Sequence, residues 1–151
     1  MPFVQQGRER TRLPAGIGYE KGVPMGGDLR PSSGDNPAPR FVASAVADSG
    51  TPEYPGSPLQ RIQLIKGWYE NGALEERVLD VAGGDNDASV DIHSCEQSGS
   101  GHPQLCTVWT DPDFNPDAQA FYYIRVLENP SCRWSQRICA DAGVRCDDPA
   151  T

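Results

Sequence analysis

An antiparallel β domain is the fold class this sequence predicts: a mainly β, sandwich-like unit between an irregular Pro/Gly-rich N-terminal segment and a cysteine-containing C-terminal tail. Three observations point there. Apolar residues concentrate between Phe41 and Leu127, in runs of strand length. Turn-forming Gly, Pro, Asn and Asp punctuate those runs, and no long helical period joins them. With 16 glycines, 14 prolines and 37% apolar residues among 151, the chain can bury a core for one small sandwich.

Residues 1–39 read as irregular chain. Pro14, Pro24, Pro31, Pro37 and Pro39 each remove a backbone donor, and the glycines at 16, 18, 22, 26, 27 and 34 break any helix that might start. Within this segment Gly22-Val-Pro-Met-Gly-Gly-Asp-Leu29 reads as a docking loop. Gly22, Pro24, Gly26 and Gly27 shape a rigid turn whose backbone can approach another surface, and Asp28 can cap or coordinate. A phosphate loop would need a strand before it and a helix after it, which the pattern lacks.

Strand signals begin at Arg40. Phe41 to Ala47 is short and β-compatible, and ends in the turn set Asp48-Ser-Gly-Thr-Pro52. Leu59 to Tyr69 is the best strand: Ile62, Leu64 and Trp68 alternate onto one face, with Lys66 the exception. Asn71-Gly72 suits the two positive φ angles of a type I′ hairpin turn. The return strand, Leu74 to Ala82, offers Leu74, Val78 and Ala82 on one side, with Leu79 and Val81 on the other. After a Gly/Asp/Asn loop, Ser89 to Cys95 is a short strand candidate, and Leu105 to Thr110 is another. Ala120 to Leu127, aromatic and β-branched, reads as a central strand. A short helix capped by Gly143 fits within Ser131–Gly143. The resulting division is 1–39 docking segment or linker, 40–128 antiparallel β domain, and 129–151 cysteine-containing tail.

The net charge of −8 is uneven. Glu70 to Asp117 carries eleven acids against one base, Arg77. Such a surface repels phosphate backbones, which argues against nucleic-acid partners. No apolar run reaches the roughly eighteen residues of a membrane span, and the first residues lack the apolar stretch of a signal peptide.

Five cysteines imply one thiol without an internal partner. The expected disulfide residues are Cys95, Cys106, Cys132 and Cys139. A Cys95–Cys106 bridge would pin two strand ends, with one pair and one orphan among Cys132, Cys139 and Cys146. Zinc, with His93 and His102 beside Cys95 and Cys106, is disfavoured because closely paired ligand spacings are absent. Paired thiols belong to oxidising compartments, so an extracytoplasmic location is expected, with any export signal lying upstream on a longer precursor.

Asp111, Asp113, Asn115 and Asp117 alternate as calcium-loop ligands do, but Pro116 stands where that loop needs Gly, and Tyr122 where it needs Glu. They are weak calcium candidates, and turn chemistry explains them as well. Asp85, Asp87 and Asp91 share the defect. No catalytic residue is assigned: the two histidines sit in or beside polar loops, and no Gly-x-Ser-x-Gly elbow occurs. Trp68, Tyr69, Trp109, Tyr122, Tyr123 and Trp134 offer rings for core packing or, less commonly, a sugar-stacking platform.

Several long strings together resemble a bacterial family, domain of unknown function 3604. They are Gly22–Leu29, Pro58-Leu-Gln-Arg-Ile-Gln-Leu-Ile-Lys-Gly-Trp68, Asp80-Val-Ala-Gly-Gly-Asp-Asn86, Leu105-Cys-Thr-Val-Trp-Thr-Asp-Pro-Asp-Phe114, and Ala120 through Ser135. The resemblance implies a full-length protein with an export signal, then a metal-dependent barrel similar to polymerase-and-histidinol-phosphatase (PHP) hydrolases, then a β-rich C-terminal portion. This chain corresponds to the last portion. The barrel's metal ligands map to no residue here, so no cofactor is expected in this chain, and a divalent metal only in the barrel. The function so implied is a non-catalytic region packing against that barrel. The alternative is a small extracytoplasmic module binding carbohydrate or calcium.

Overall fold

The computed structural model describes residues 14–30 and 38–146. Among these the element order is α1 (Pro14–Lys21), β1 (Arg40–Val46), β2 (Leu59–Glu70), β3 (Ala73–Gly83), β4 (Ser89–Val90), β5 (Gln97–Ser98), β6 (Gln104–Thr110), β7 (Ala120–Glu128) and α2 (Trp134–Ala142). The architecture is mainly β, and every strand pairing is antiparallel. A β1–β6 ribbon faces a three-stranded β3-β2-β7 sheet, and β4–β5 forms a small separate ribbon. Ala43 and Leu105 from the ribbon meet Leu59 and Ile62 from β2. Ala45, Ala47, Val81, Ala82 and Ile124 pack around them.

β2 owes its burial to its central place. Strands on both sides and a ribbon over one face leave Ile62 and Leu64 with essentially no exposed surface, while Ile65, on the opposite face, is buried between its cross-strand neighbours Val78 and Tyr123. The Asn71-Gly72 turn connects it to β3 as its sequence requires, with φ angles of 51° and 85°. A bulge then interrupts the β2–β3 register between Ile62 and Gln63: Gln63 pairs with Asp80 and Ile62 with Ala82, leaving Val81 as the extra residue. Leu74 and Val78 are therefore not on Ala82's side. They are exposed, while Leu79, Val81 and Ala82 turn inward. Just beyond the bulge, Gly83 has φ 70°, and a side chain there would strike the Gln60 carbonyl and approach Arg61 Cα at 3.0 Å. Gly83→Ala should therefore destabilise the domain by roughly 1–3 kcal/mol, read as a fall in the thermal midpoint. An unchanged midpoint would mean the backbone at Gly83 relaxes freely.

Other expectations need correction. β7 is not central: it pairs with β2 alone and forms an edge of its sheet. Aromatic and β-branched composition reports fit to a pleated surface, not position within the sheet. The Ser89–Cys95 strand shrinks to two residues because Asp91 accepts the N–H groups of His93 and Ser94 and folds the chain into a turn. The N-terminal segment is not wholly irregular, since Pro14–Lys21 is helical. Proline is harmless in the first helical turn, where its missing N–H has no intrahelical partner anyway.

The cysteine pairing also differs. Cys95 bonds Cys132 (Cα–Cα 5.5 Å) and Cys139 bonds Cys146 (Cα–Cα 5.6 Å), leaving Cys106 free and exposed. Strand alternation explains the orphan. On β6 Leu105 faces the core, so Cys106 faces outward, opposite Ser44. Cys95 ends a turn at φ 59° and meets the chain returning from β7. α2 appears where expected, closed by Gly143 in the left-handed region, with the Val144 N–H bonded to the Cys139 carbonyl.

Candidate functional site

Lys66 breaks the apolar alternation of β2, and its place in the fold explains why. It lies on the inner face of the sheet, with its ammonium 2.6 Å from Asp111 Oδ2 and donating to the Asp113 carbonyl at 2.9 Å. Asp111 opens the loop after β6 and is only 3% exposed. The Tyr122 hydroxyl, from β7, donates to the same Oδ2 at 2.6 Å, and the Asp113 N–H donates to Oδ1 at 3.0 Å. The Trp68 and Tyr122 rings lie 5.4 and 5.8 Å from the Lys66 ammonium. Two strands and one loop thus converge on one charge pair.

Burial alone would raise the Asp111 carboxyl. Hydrogen bonds from Lys66, Tyr122 and the Asp113 N–H, with the Lys66 charge, outweigh it, and the net shift is downward. Burial, then the Asp111 hydrogen bond and charge, push the Tyr122 phenol far up, so it remains the donor. A carboxylate held ionised by three donors makes a poor proton acceptor. The cluster is therefore suited to fixing the loop rather than moving protons.

Beside it opens a cleft of about 430 Å³. Trp68 and Tyr122 line its inner part, with Tyr69, Glu70 and Asn71 from the hairpin end and Asp113, Phe114, Asn115 and Asp117 from the β6–β7 loop. Arg77 also lines it and pairs with Asp113.

The sheet's other face carries a polar chain. Arg125 donates to Gln63 Oε1 at 2.9 and 2.6 Å, Gln63 donates to Asp80 at 2.8 Å, and Arg61 joins Asp80 to Asp85. The hydrogen bond from Gln63, more than that from Arg61, keeps the Asp80 carboxyl lowered against the effect of burial. Asn86 extends the chain to Asn129 at 2.8 Å and to the Ser100 carbonyl at 2.9 Å. Among the described residues no buried side-chain nitrogen or oxygen lacks a partner.

The calcium candidates do not converge as ligands. Asp111 serves Lys66 and Tyr122, Asp113 pairs with Arg77, and Asn115 Oδ1 accepts the Asp117 N–H. Asp85 is held by Arg61, while Asp87 accepts two bonds from Ser100 and Asp91 its own turn's N–H groups. Cys95 is in a disulfide and unavailable to a metal. Of the aromatic candidates, Trp68, Tyr69 and Tyr122 meet at the cleft. Trp109 packs near Phe41, Tyr123 lies parallel to Phe121, and Trp134 is exposed on α2. In the docking loop, the Gly27 N–H closes a turn onto the Pro24 carbonyl with Gly26 at φ 94°, and Gly22 to Asp28 are exposed. The sequence alone does not pair Lys66 or Tyr122 with Asp111. Its one signal is a lysine at an inward strand position.

The family model described as "Protein of unknown function (DUF3604)" matches residues 4–151. The chain belongs to this family. No curated protein and no solved structure matches it. In this DUF3604 chain the strings that carried the resemblance also build the polar architecture: Pro58–Trp68 supplies Gln63 and Lys66, Asp80–Asn86 the polar chain, and Leu105–Phe114 the Asp111 carboxylate. Its two disulfides are compatible with an extracytoplasmic protein. No helix among the described residues is long and apolar enough to cross a membrane.

Proposed function

We infer that this DUF3604 region is a non-catalytic brace, the β-rich C-terminal part of an exported hydrolase-like protein, seated against the metal-dependent barrel that the family resemblance implies. The supporting observation is a patch of exposed valines on the outer side of the β1–β6 ribbon. The inner side of β1–β6 covers the core. The outer side presents Val42, Val46 and Val108 at 61%, 73% and 59% exposure, with Val42 directly paired to Val108. Apolar side chains clustered on an exposed sheet face mark an interaction surface, and a partner body gives this face its second cover.

Cys106 lies on that same outer face and reports on it. In the 151-residue chain its thiol should react readily with a maleimide. In the barrel-bearing protein it should be protected, and Val108→Lys should restore labelling there. The same substitution should change the stability of the shorter chain by no more than about 0.5 kcal/mol. Equal labelling of Cys106 in both proteins overturns the bracing surface. Phosphoester hydrolysis by the shorter chain with added divalent metal removes the non-catalytic part of the reading.

A further inference from the structure

The cleft beside Lys66 has features that the bracing role does not use. Its volume, about 430 Å³, falls within the range of small-molecule sites and suits one or two sugar rings. Its charges are largely spent: Lys66 is paired with Asp111 and Arg77 with Asp113. An anion would find no uncommitted cation and would approach an acidic chain of net charge −8. An apolar ligand would strip water from a rim of polar groups and replace none of their hydrogen bonds.

That rim holds both kinds of hydrogen-bonding group. Asn115 uses its carbonyl oxygen for the Asp117 N–H, which leaves its amide donors for another partner. Asn71 adds a second amide, and Asp117 a carboxylate, all from exposed loop positions lining the same cleft. Beside them stands the half-buried Trp68 ring, a rigid apolar surface with the Lys66 ammonium and the Arg77 guanidinium 5.4 and 6.0 Å from its centre. Hydroxyl groups donate and accept at once, and a pyranose carries them around its edge while keeping an apolar C–H face. A neutral sugar matches this combination of ring surface, amide donors and carboxylate acceptors.

We propose that the cleft between the β2–β3 hairpin end and the Asp111–Asp117 loop binds a neutral saccharide of one or two rings. Trp68 stacks on the apolar face of the sugar, while Asn71, Asn115 and Asp117 bond its hydroxyls. The site lies apart from the outer face of the β1–β6 ribbon, so it stands or falls independently of the bracing role.

The test is titration of the disulfide-intact chain with cellobiose, maltose and lactose, followed by tryptophan fluorescence and calorimetry. Saturable binding of at least one of them is expected. Trp68→Ala should weaken it by about tenfold. Asn115→Ala and Asp117→Ala lie on an exposed loop and should leave folding intact, yet each should weaken binding by about fivefold. No saturable response to any of the three sugars overturns the proposal. So does binding that survives all three substitutions, or binding that simple carboxylates or amines displace as readily as a second sugar does.

Discussion

Replacing Asp111 with alanine should cost this domain about 3 kcal/mol of stability. The carboxylate is almost fully buried, accepts bonds from Lys66, Tyr122 and the Asp113 N–H, and provides the countercharge for a lysine on the inner face of the sheet. Its loss strands an ammonium and a phenol together. The figure sits at the low end of the range for broken buried pairs because Lys66 and Tyr122 also line the cleft, through which water can reach the ammonium. Tyr122→Phe removes one bond to a carboxylate that retains two others, and should cost about 1.5 kcal/mol. Denaturant unfolding measures both. A cost for Asp111→Ala no larger than that of Tyr122→Phe would show the ion pair to be dispensable.

The same pair fixes the sign of the acid response. The folded-state pKa of Asp111 is depressed, so its contribution is fully present above the ordinary aspartate value of 3.8 and is lost as pH falls through the folded value. Asp80, Asp87 and Asp91 are shifted the same way by Gln63, by Ser100, and by the Ser94 and His93 N–H groups. Wild-type stability should fall with acid, and Asp111→Asn should flatten part of that slope without abolishing it. An unchanged slope in Asp111→Asn would place the acid sensitivity elsewhere.

The sheet was legible wherever a residue's role depends on its neighbours in sequence. Asn71-Gly72 dictates its turn, the apolar alternation of Leu59–Tyr69 marks the buried strand, and Gly143 closes its helix. Roles that depend on distant chain were hidden. The bulge at Ile62/Gln63, which sends Leu74 and Val78 outward, exists only once β2 and β3 pair. Cys95 finds Cys132 rather than Cys106 because Cys106 sits mid-strand on the outward side, a point the Leu105 core position could have signalled. Asp111 looked like the first ligand of a calcium loop because spacing shows which carboxylates are near in sequence. It does not show that a lysine forty-five residues earlier has claimed one of them.

Removing the Cys95–Cys132 bridge should cost more than removing Cys139–Cys146. The two span 37 and 7 residues of sequence, and the chain-entropy model assigns them about 4 and about 2 kcal/mol respectively. Native contacts favour the same order. α2 buries no residue and is nine residues long, too short to persist in water on its own. What holds the tail to the domain is chiefly Cys132 on Cys95, aided by hydrogen bonds from Gln136 to the Ile92 carbonyl, from Gln97 to the Pro130 carbonyl and from the Tyr54 hydroxyl to Asp141. Cys139–Cys146 closes a loop within the tail and attaches it to nothing else. In Cys95→Ser/Cys132→Ser, amides of residues 134–142 should lose hydrogen-exchange protection before those of β2. Cys139→Ser/Cys146→Ser should leave the tail docked and lower the denaturation midpoint less. If the second pair proves the costlier to lose, or α2 keeps its protection without the first, the tail is anchored by side-chain packing and not by the bridge from Cys95.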